Sequence, residues 1–93
     1  MSRMSEVFDL IETERYRQFA KWGDQRHHNE RWLTILVEEI GEVSETMLNH
    51  NEEIEILEEV VHVAAVAAAW LEDLIRKAEE MGYEVSGLRS GKA

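Results

Sequence analysis

Apolar positions recur three and four residues apart along most of the chain, the spacing of one face of an α-helix. In the second quarter the repeat is Leu33, Leu36, Ile40, Val43 and Met47. It predicts a helix over 30–48, with Asn29 as its cap. Before it, Val7, Phe8, Leu10, Ile11 and Phe19 supply the apolar side of a first helix, starting after a Ser5 cap and ending near Lys21. Gly23 and the polar run 24–29 interrupt the pattern. A third helix is predicted over 52–81, with Asn51 as its cap and Gly82 as its stop. There is no Pro and little strand-like alternation, so strands have no clear place to form. Residues 84–93 hold Gly, Ser, Arg and Lys and are expected to fray. The expectation is an all-α bundle of three main helices in one domain, 1–83, followed by a flexible tail, 84–93.

The third helix departs from simple amphipathicity. From Val60 to Leu71 the sequence is VVHVAAVAAAWL, with His62 its one ionisable side chain. A helix apolar on every side is buried on every side. Two further helices from so short a chain cannot surround it, so a second copy is expected to complete a four-helix-type core, as a homodimer or homotetramer.

Charge sharpens the reading. Ten Lys and Arg stand against twenty Asp and Glu, a formal net charge of −10 over 93 residues. That balance disfavours nucleic acid and anionic membrane surfaces as partners. There is no Cys, which excludes disulfides and thiolate chemistry. No signal peptide and no membrane-length apolar run is present, so a cytoplasmic location is expected. Eleven of the acids fall between Trp32 and Ile75, where there is no Lys or Arg. Like charges one helical turn apart, such as Glu38/Glu42 and Glu55/Glu59, cost roughly 0.2–0.5 kcal/mol per pair. With no cation from the chain to offset them, an external cation is the natural complement.

The acids lie in stripes. Glu38, Glu42 and Glu45 share one side of the second helix, with Glu39 beside them. Glu52, Glu55, Glu59 and His62 form a line on the third, descending from a solvated turn toward a buried His62. A short turn makes these helices antiparallel neighbours, which brings Glu38, Glu39 and Glu42 near Glu55, Glu58 and Glu59. Clustered carboxylates suit Mg²⁺ or Mn²⁺, and divalent cations let an acidic protein hold a polyphosphate. A further carboxylate such as Glu38 can then take a proton from an attacking water. Trp22-Gly23-Asp24-Gln25 offers an aromatic platform and an amide for a base. Lys21, Arg26, Arg31, Arg76 and Lys77 are candidate phosphate contacts. His27-His28 is a weak zinc pair.

Glu38-Glu39-Ile40-Gly41-Glu42 resembles the E-E-x-x-E motif of MazG-like, all-α nucleoside triphosphate pyrophosphohydrolases. Glu59-Val60-Val61-His62 stands where that family carries E-x-x-D. The stretch Gln18 to Gln25 with His28, and the run Val63 to Leu71, are similar to small phage-type and bacterial MazG-like proteins. The resemblance spans residues 14–75. It implies Mg²⁺-dependent cleavage of a nucleoside triphosphate between the α and β phosphates, giving the monophosphate and pyrophosphate. It also implies an oligomer and a role in cleaning the nucleotide pool. By carry-over, Glu39, Glu42 and Glu59 ligate the metal, with His62 at the position of the usual Asp, and Glu38 assists water or metal. Lys21, Trp22, Gln25 and Lys77 are the expected substrate contacts. His62 is the departure, since imidazole is a poor Mg²⁺ ligand and a fair Mn²⁺ one. Two other readings stand beside this one. Glu59-x-x-His62 has the spacing of a di-iron carboxylate bundle, and the chain could be a non-catalytic helical interaction protein.

Overall fold

The computed structural model describes residues 2–86. It contains three α-helices, α1 (Arg3–Trp22), α2 (Asn29–Asn49) and α3 (Glu53–Glu80), and no strand among the described residues. The all-helical class and the three predicted helices are therefore observed. Residues 87–93, most of the expected tail, lie outside the described residues.

The helix ends differ from expectation in instructive ways. Ser2, not Ser5, caps α1: its side chain accepts the Ser5 backbone N–H at 3.1 Å. Asn29 is already helical, and its cap position is held by His28 without a side-chain bond. Asn29 instead accepts from the indole N–H of Trp70 at 3.2 Å, a tertiary use of an amide that local reasoning assigns to the helix end. Asn51 closes α2 rather than opening α3. It takes φ 52, the left-handed region that Asn tolerates better than most residues, and its N–H reaches Thr46 O at 2.8 Å. Gly82 ends α3 as expected, at φ 91. The N–H of Gly82 bonds Glu79 O and that of Tyr83 bonds Ala78 O, both at 3.0 Å, the paired closure of a Schellman end.

α3 is the central element. Both α1 and α2 pack on it, and their backbones do not approach each other. Contacts run in opposite directions along α2 and α3, from Asn29 with Trp70 to Glu39 near Glu59, so the two form an antiparallel hairpin. The core lies in that hairpin. Trp32, 1% exposed, packs with Val66 and Ala69, and Ile35, Leu36 and Trp70 flank it. Ala65 and Ala69 carry almost no side chain, which lets the neighbouring helices come close enough to enclose an indole.

The rest of the expected core is not enclosed by one chain. Phe8, Phe19, Leu33, Ile40 and Met47 are exposed, and so are Val60 and Leu71 at the two ends of the apolar run of α3. Within the run Ala65, Val66 and Ala69 are buried and the residues between are half-buried. Among the described residues, no helix is long and apolar enough to cross a membrane.

Candidate functional site

The open angle between α1 and α2, floored by α3, holds a cavity of about 390 Å³. Its walls carry three kinds of chemistry. Glu39 and His62 stand in one part of the lining, Trp22, Gln25, His27 and Trp32 in another, and Arg17 and Arg31 add positive charge. α2 supplies Glu39 one helical turn past Ile35, and α3 supplies His62 one turn before Val66, so the same packing that buries Trp32 fixes both groups.

Glu39, Glu59 and His62 form one cluster, each offering a ligand atom within 4.8 Å of the others. Glu39 meets like charge in a half-buried place. Burial, the Glu42 charge and a hydrogen bond shared with Glu42 push its carboxyl above the usual range, Glu59 adds to this, and His62 opposes it. Glu59 Oε2 is buried and accepts no hydrogen bond. His62 Nδ1 lies 3.5 Å from that oxygen. An unpaired buried carboxylate oxygen is costly, and a cation held between Glu39, Glu59 and His62 would satisfy it. The residues therefore fit a small divalent ion. His62 itself is one-third exposed by side chain, not buried as the stripe suggested.

The other expected site residues divide. Glu42 lines an acidic recess of about 300 Å³ with Glu45, Thr46, Asn49, His50 and Glu59. Glu38 is exposed on α2 and outside the cluster. Glu58 faces α1, where it lines a second groove, between α1 and α3, with Leu10 and Leu57, and not α2 as the stripe reading expected. Glu55 stands 3.8 Å from His50. Trp22 and Gln25 line the main cavity, as expected of a base platform. Lys21 lies over the Trp22 ring at 4.7 Å and is not part of the lining. Arg26 pairs with Asp24 at 3.2 Å. His27 and His28 do not form a metal group among the described residues.

Arg76 and Lys77 are engaged elsewhere. Both pair with Asp73, 4% exposed on α3, Lys77 at 3.3 Å. Lys77 also donates to His27 O at 2.7 Å. The Trp32 indole N–H donates to Asp73 at 2.8 Å, and the His27 backbone N–H at 3.2 Å. Burial pushes the Asp73 carboxyl up, but the bonds from Trp32, Arg76, His27 and Lys77 outweigh it and hold it well below the usual range. This knot anchors the 23–28 loop on α3 and so places Gln25 and His27. It also corrects the expectation that the acidic block has no cation of its own. Arg76 and Lys77 serve Asp73, and Arg15 bonds Glu72 at 2.7 Å. The remaining nine acids of the block make no ion pair with Lys or Arg among the described residues.

Sequence reasoning missed Glu14 and Arg17. Glu14, on α1, is 8% exposed and accepts from Arg17 Nε and Nη2 at 2.8 and 2.7 Å. That fork holds its carboxyl below the usual range against the pull of burial, with His62 assisting. Its Oε1 lies 3.8 Å from His62 Nε2. The i,i+3 Glu–Arg spacing was visible, but it is equally the mark of an ordinary surface pair.

The architecture is thus a three-helix, all-α scaffold carrying a carboxylate–imidazole cluster beside an aromatic-lined cavity. No family model, characterised protein or solved structure matches the chain.

Proposed function

We propose that the chain is a divalent-cation-dependent nucleoside triphosphate pyrophosphohydrolase, and that it works as a homo-oligomer. One observation carries the reading: a single cavity joins Glu39 and His62 to Trp22, Gln25 and two arginines. A nucleotide needs those elements, namely a cation-binding group and positive charge for the phosphates, and an aromatic surface with an amide for the base. The resemblance to MazG-like enzymes over residues 14–75 points to the same chemistry.

Glu39, Glu59 and His62 would hold the cation, Mg²⁺ or Mn²⁺. When bound, it supplies charge neutralisation and Lewis-acid polarisation at a phosphoryl oxygen. Arg31 orients the phosphate chain, and Trp22 and Gln25 engage the base, while Arg17, forked onto Glu14, adds positive charge to the wall of the cavity. Water attacks at the α phosphorus and the bond to the bridging oxygen breaks. The products are the nucleoside monophosphate and pyrophosphate. Glu42, beside Glu39 and in the recess shared with Glu59, accepts the proton of the attacking water. Glu38, exposed on the single chain, is the weaker placed of the two.

The exposed apolar side chains support the oligomer. Helix faces bearing Phe8, Leu33 and Ile40 are what a second copy would cover.

A pyrophosphate-release screen over common and oxidised nucleoside triphosphates, with Mg²⁺ and Mn²⁺ in parallel, tests the proposal. Release from at least one nucleotide is expected. Glu42→Gln should lower kcat at least a hundredfold, while Glu38→Gln stays within about threefold. Intact nucleotides in every condition defeat the reading. An iron-loaded, coloured protein would favour the Glu59-x-x-His62 di-iron alternative instead.

A further inference from the structure

α1 and α2 are held on α3 by different chemistry. The α2–α3 contact is centred on Trp32, Val66 and Ala69, an apolar core. The buried residues of α1 are Glu14 and Gln18, both polar, while Val7 and Leu10 are exposed and Ile11 is half-buried. Glu14 and Gln18 belong to a run of side-chain bonds that stays mostly within α1. Arg17 and the Gln18 amide donate to Glu14, and Arg15 donates to Gln18 at 3.0 Å. Among the described residues, one side-chain hydrogen bond leaves α1 for a neighbouring helix, from Arg15 to the mostly exposed Glu72 of α3 at 2.7 Å. The connection out of α1 is also loosely tied. Gly23 follows Trp22 in the left-handed region, at φ 74, with nothing within 4 Å of where a Cβ would stand. The chain is next fixed at His27, whose N–H donates to Asp73 at 3.2 Å and whose carbonyl accepts from Lys77 at 2.7 Å. Between these points, residues 23–26 make no hydrogen bond to α2 or α3 among the described residues.

Polar groups released from such a contact exchange their partners for water, so little free energy is lost per bond. Exposing an indole and the aliphatic groups around it costs in proportion to their area. An element held by few buried apolar side chains therefore opens before one that closes a core, and the change of angle is taken up by a few residues at its end. α1 is also a wall of the main cavity, which Glu14, Arg17, Gln18 and Trp22 line from its side. α2, α3 and the 23–28 loop supply the remaining walls, and α2 makes no backbone contact with α1. We propose that α1 swings as a unit on the α2–α3 hairpin, with Gly23 as its pivot and Arg15–Glu72 as its latch, so that the cavity opens to admit a ligand and closes around it. The swing follows from the packing alone. Closure on a nucleotide rests on the function proposed above.

Backbone hydrogen exchange, followed region by region in the full chain, is the test. In ligand-free protein the amides of 8–20 are expected to exchange at least about tenfold faster than those of 60–70 on α3 and 32–40 on α2. Glu72→Ala removes the latch from outside the cavity. It should speed α1 a further roughly two- to fivefold, the size of a partly exposed ion pair, and leave α2 and α3 unchanged. Raising NaCl to about 0.5 M should speed α1 in wild type and much less in Glu72→Ala. Analogues of the common nucleoside triphosphates with a methylene group between the α and β phosphorus atoms, added with Mn²⁺, cannot be cleaved there. At saturation at least one of them should slow α1 about fivefold or more, because a ligand that binds the closed form alone draws the equilibrium to it. A second copy resting on α1 would slow it as well, so the ligand-free rates are taken over a dilution series. α1 amides as slow as those of α3 at every dilution overturn the swing, and so does a Glu72→Ala protein in which all three helices loosen equally. If Glu72→Ala fails to fold, the salt dependence of wild type decides. Fast α1 exchange that no analogue slows leaves the swing standing and counts against the nucleotide reading. Slow α1 exchange in a protein that releases pyrophosphate does the reverse.

Discussion

Glu59 and Asp73 are carboxylates fourteen positions apart on the same helix, and their surroundings are opposite. Asp73 accepts from an indole, a backbone amide and two cations. Glu59 has one buried oxygen with no donor, a second carboxylate within 4.8 Å and an imidazole alongside. Each arrangement says what its region is for. Around Asp73 every charge is answered from within the chain, so that end of the hairpin is built to hold shape. Around Glu59 no Lys or Arg among the described residues answers the charges, which costs stability in the chain alone.

The contrast yields predictions that can break it. The largest effect belongs to Asp73. Asp73→Ala strands the Trp32 N–H and the His27 N–H, each a loss of about 1–3 kcal/mol when buried. Urea denaturation should show a total loss of about 3 kcal/mol, with the 23–28 loop the first region to exchange its amide protons. The same carboxylate dictates a pH dependence. Its folded pKa lies below its unfolded value near ~3.9, so its stabilisation is complete above that value and is lost as pH falls through the folded pKa. Glu14, also depressed, adds to the same acid limb. Midpoints measured from pH 6 down to pH 2 should hold until the pH nears about 4 and then fall in wild type, and fall much less in Asp73→Ala. A loss of the same steepness in both would mean that the Asp73 knot is not the source.

At the other end of α3 the sign reverses. Glu39 is an acid whose folded pKa is raised, so its ionised form destabilises the fold at neutral pH and the cost is relieved as pH drops below the folded pKa. Glu39→Gln should therefore stabilise the metal-free protein, by about 0.2–0.5 kcal/mol for each like-charge neighbour relieved, while abolishing cation binding. A Glu39→Gln protein that is less stable in EDTA than wild type would show the cluster to be structural.

The smallest effect separates a helix from a site. Gly41 lies mid-helix between Glu39 and Glu42, and a methyl group there meets nothing within 4 Å. Gly41→Ala should raise stability by about 0.5–1 kcal/mol in the isolated chain. A loss instead would place a second copy against that face, and analytical ultracentrifugation of the variant would show it.

Much of this was legible in the sequence, and the gaps have physical causes. Periodicity located all three helices because each carries a stripe of regularly spaced apolar side chains, although in the single chain much of that stripe on α1 and α2 is exposed. Helix ends were misplaced where a capping residue had a tertiary use, as with Asn29 and Trp70. The pairing of Glu39 with Glu59 followed from the short 50–52 turn, which permits only an antiparallel hairpin. Asp73 was counted with the acidic block, although Arg76 and Lys77 at i+3 and i+4 were in plain view. The error came from ending the block at Ile75. Glu14 was out of reach. Its role depends on α1 crossing α3 at His62, and nothing in a helical repeat encodes which residue of one helix meets which residue of another. Leu33 and Ile40 were assigned to the core by a helical repeat, which marks an apolar face and not whether anything covers it; both are exposed.

The most direct test of the central contrast is thermal unfolding with and without millimolar Mn²⁺, on wild type, Glu59→Gln and Asp73→Asn. A ligand that binds only the folded state raises the midpoint, by an amount that grows with the logarithm of its concentration over Kd. The prediction is a clear rise in wild type, a rise of the same size from a lower starting midpoint in Asp73→Asn, and none in Glu59→Gln. An equal rise in wild type and Glu59→Gln, or no rise in wild type, would contradict the account.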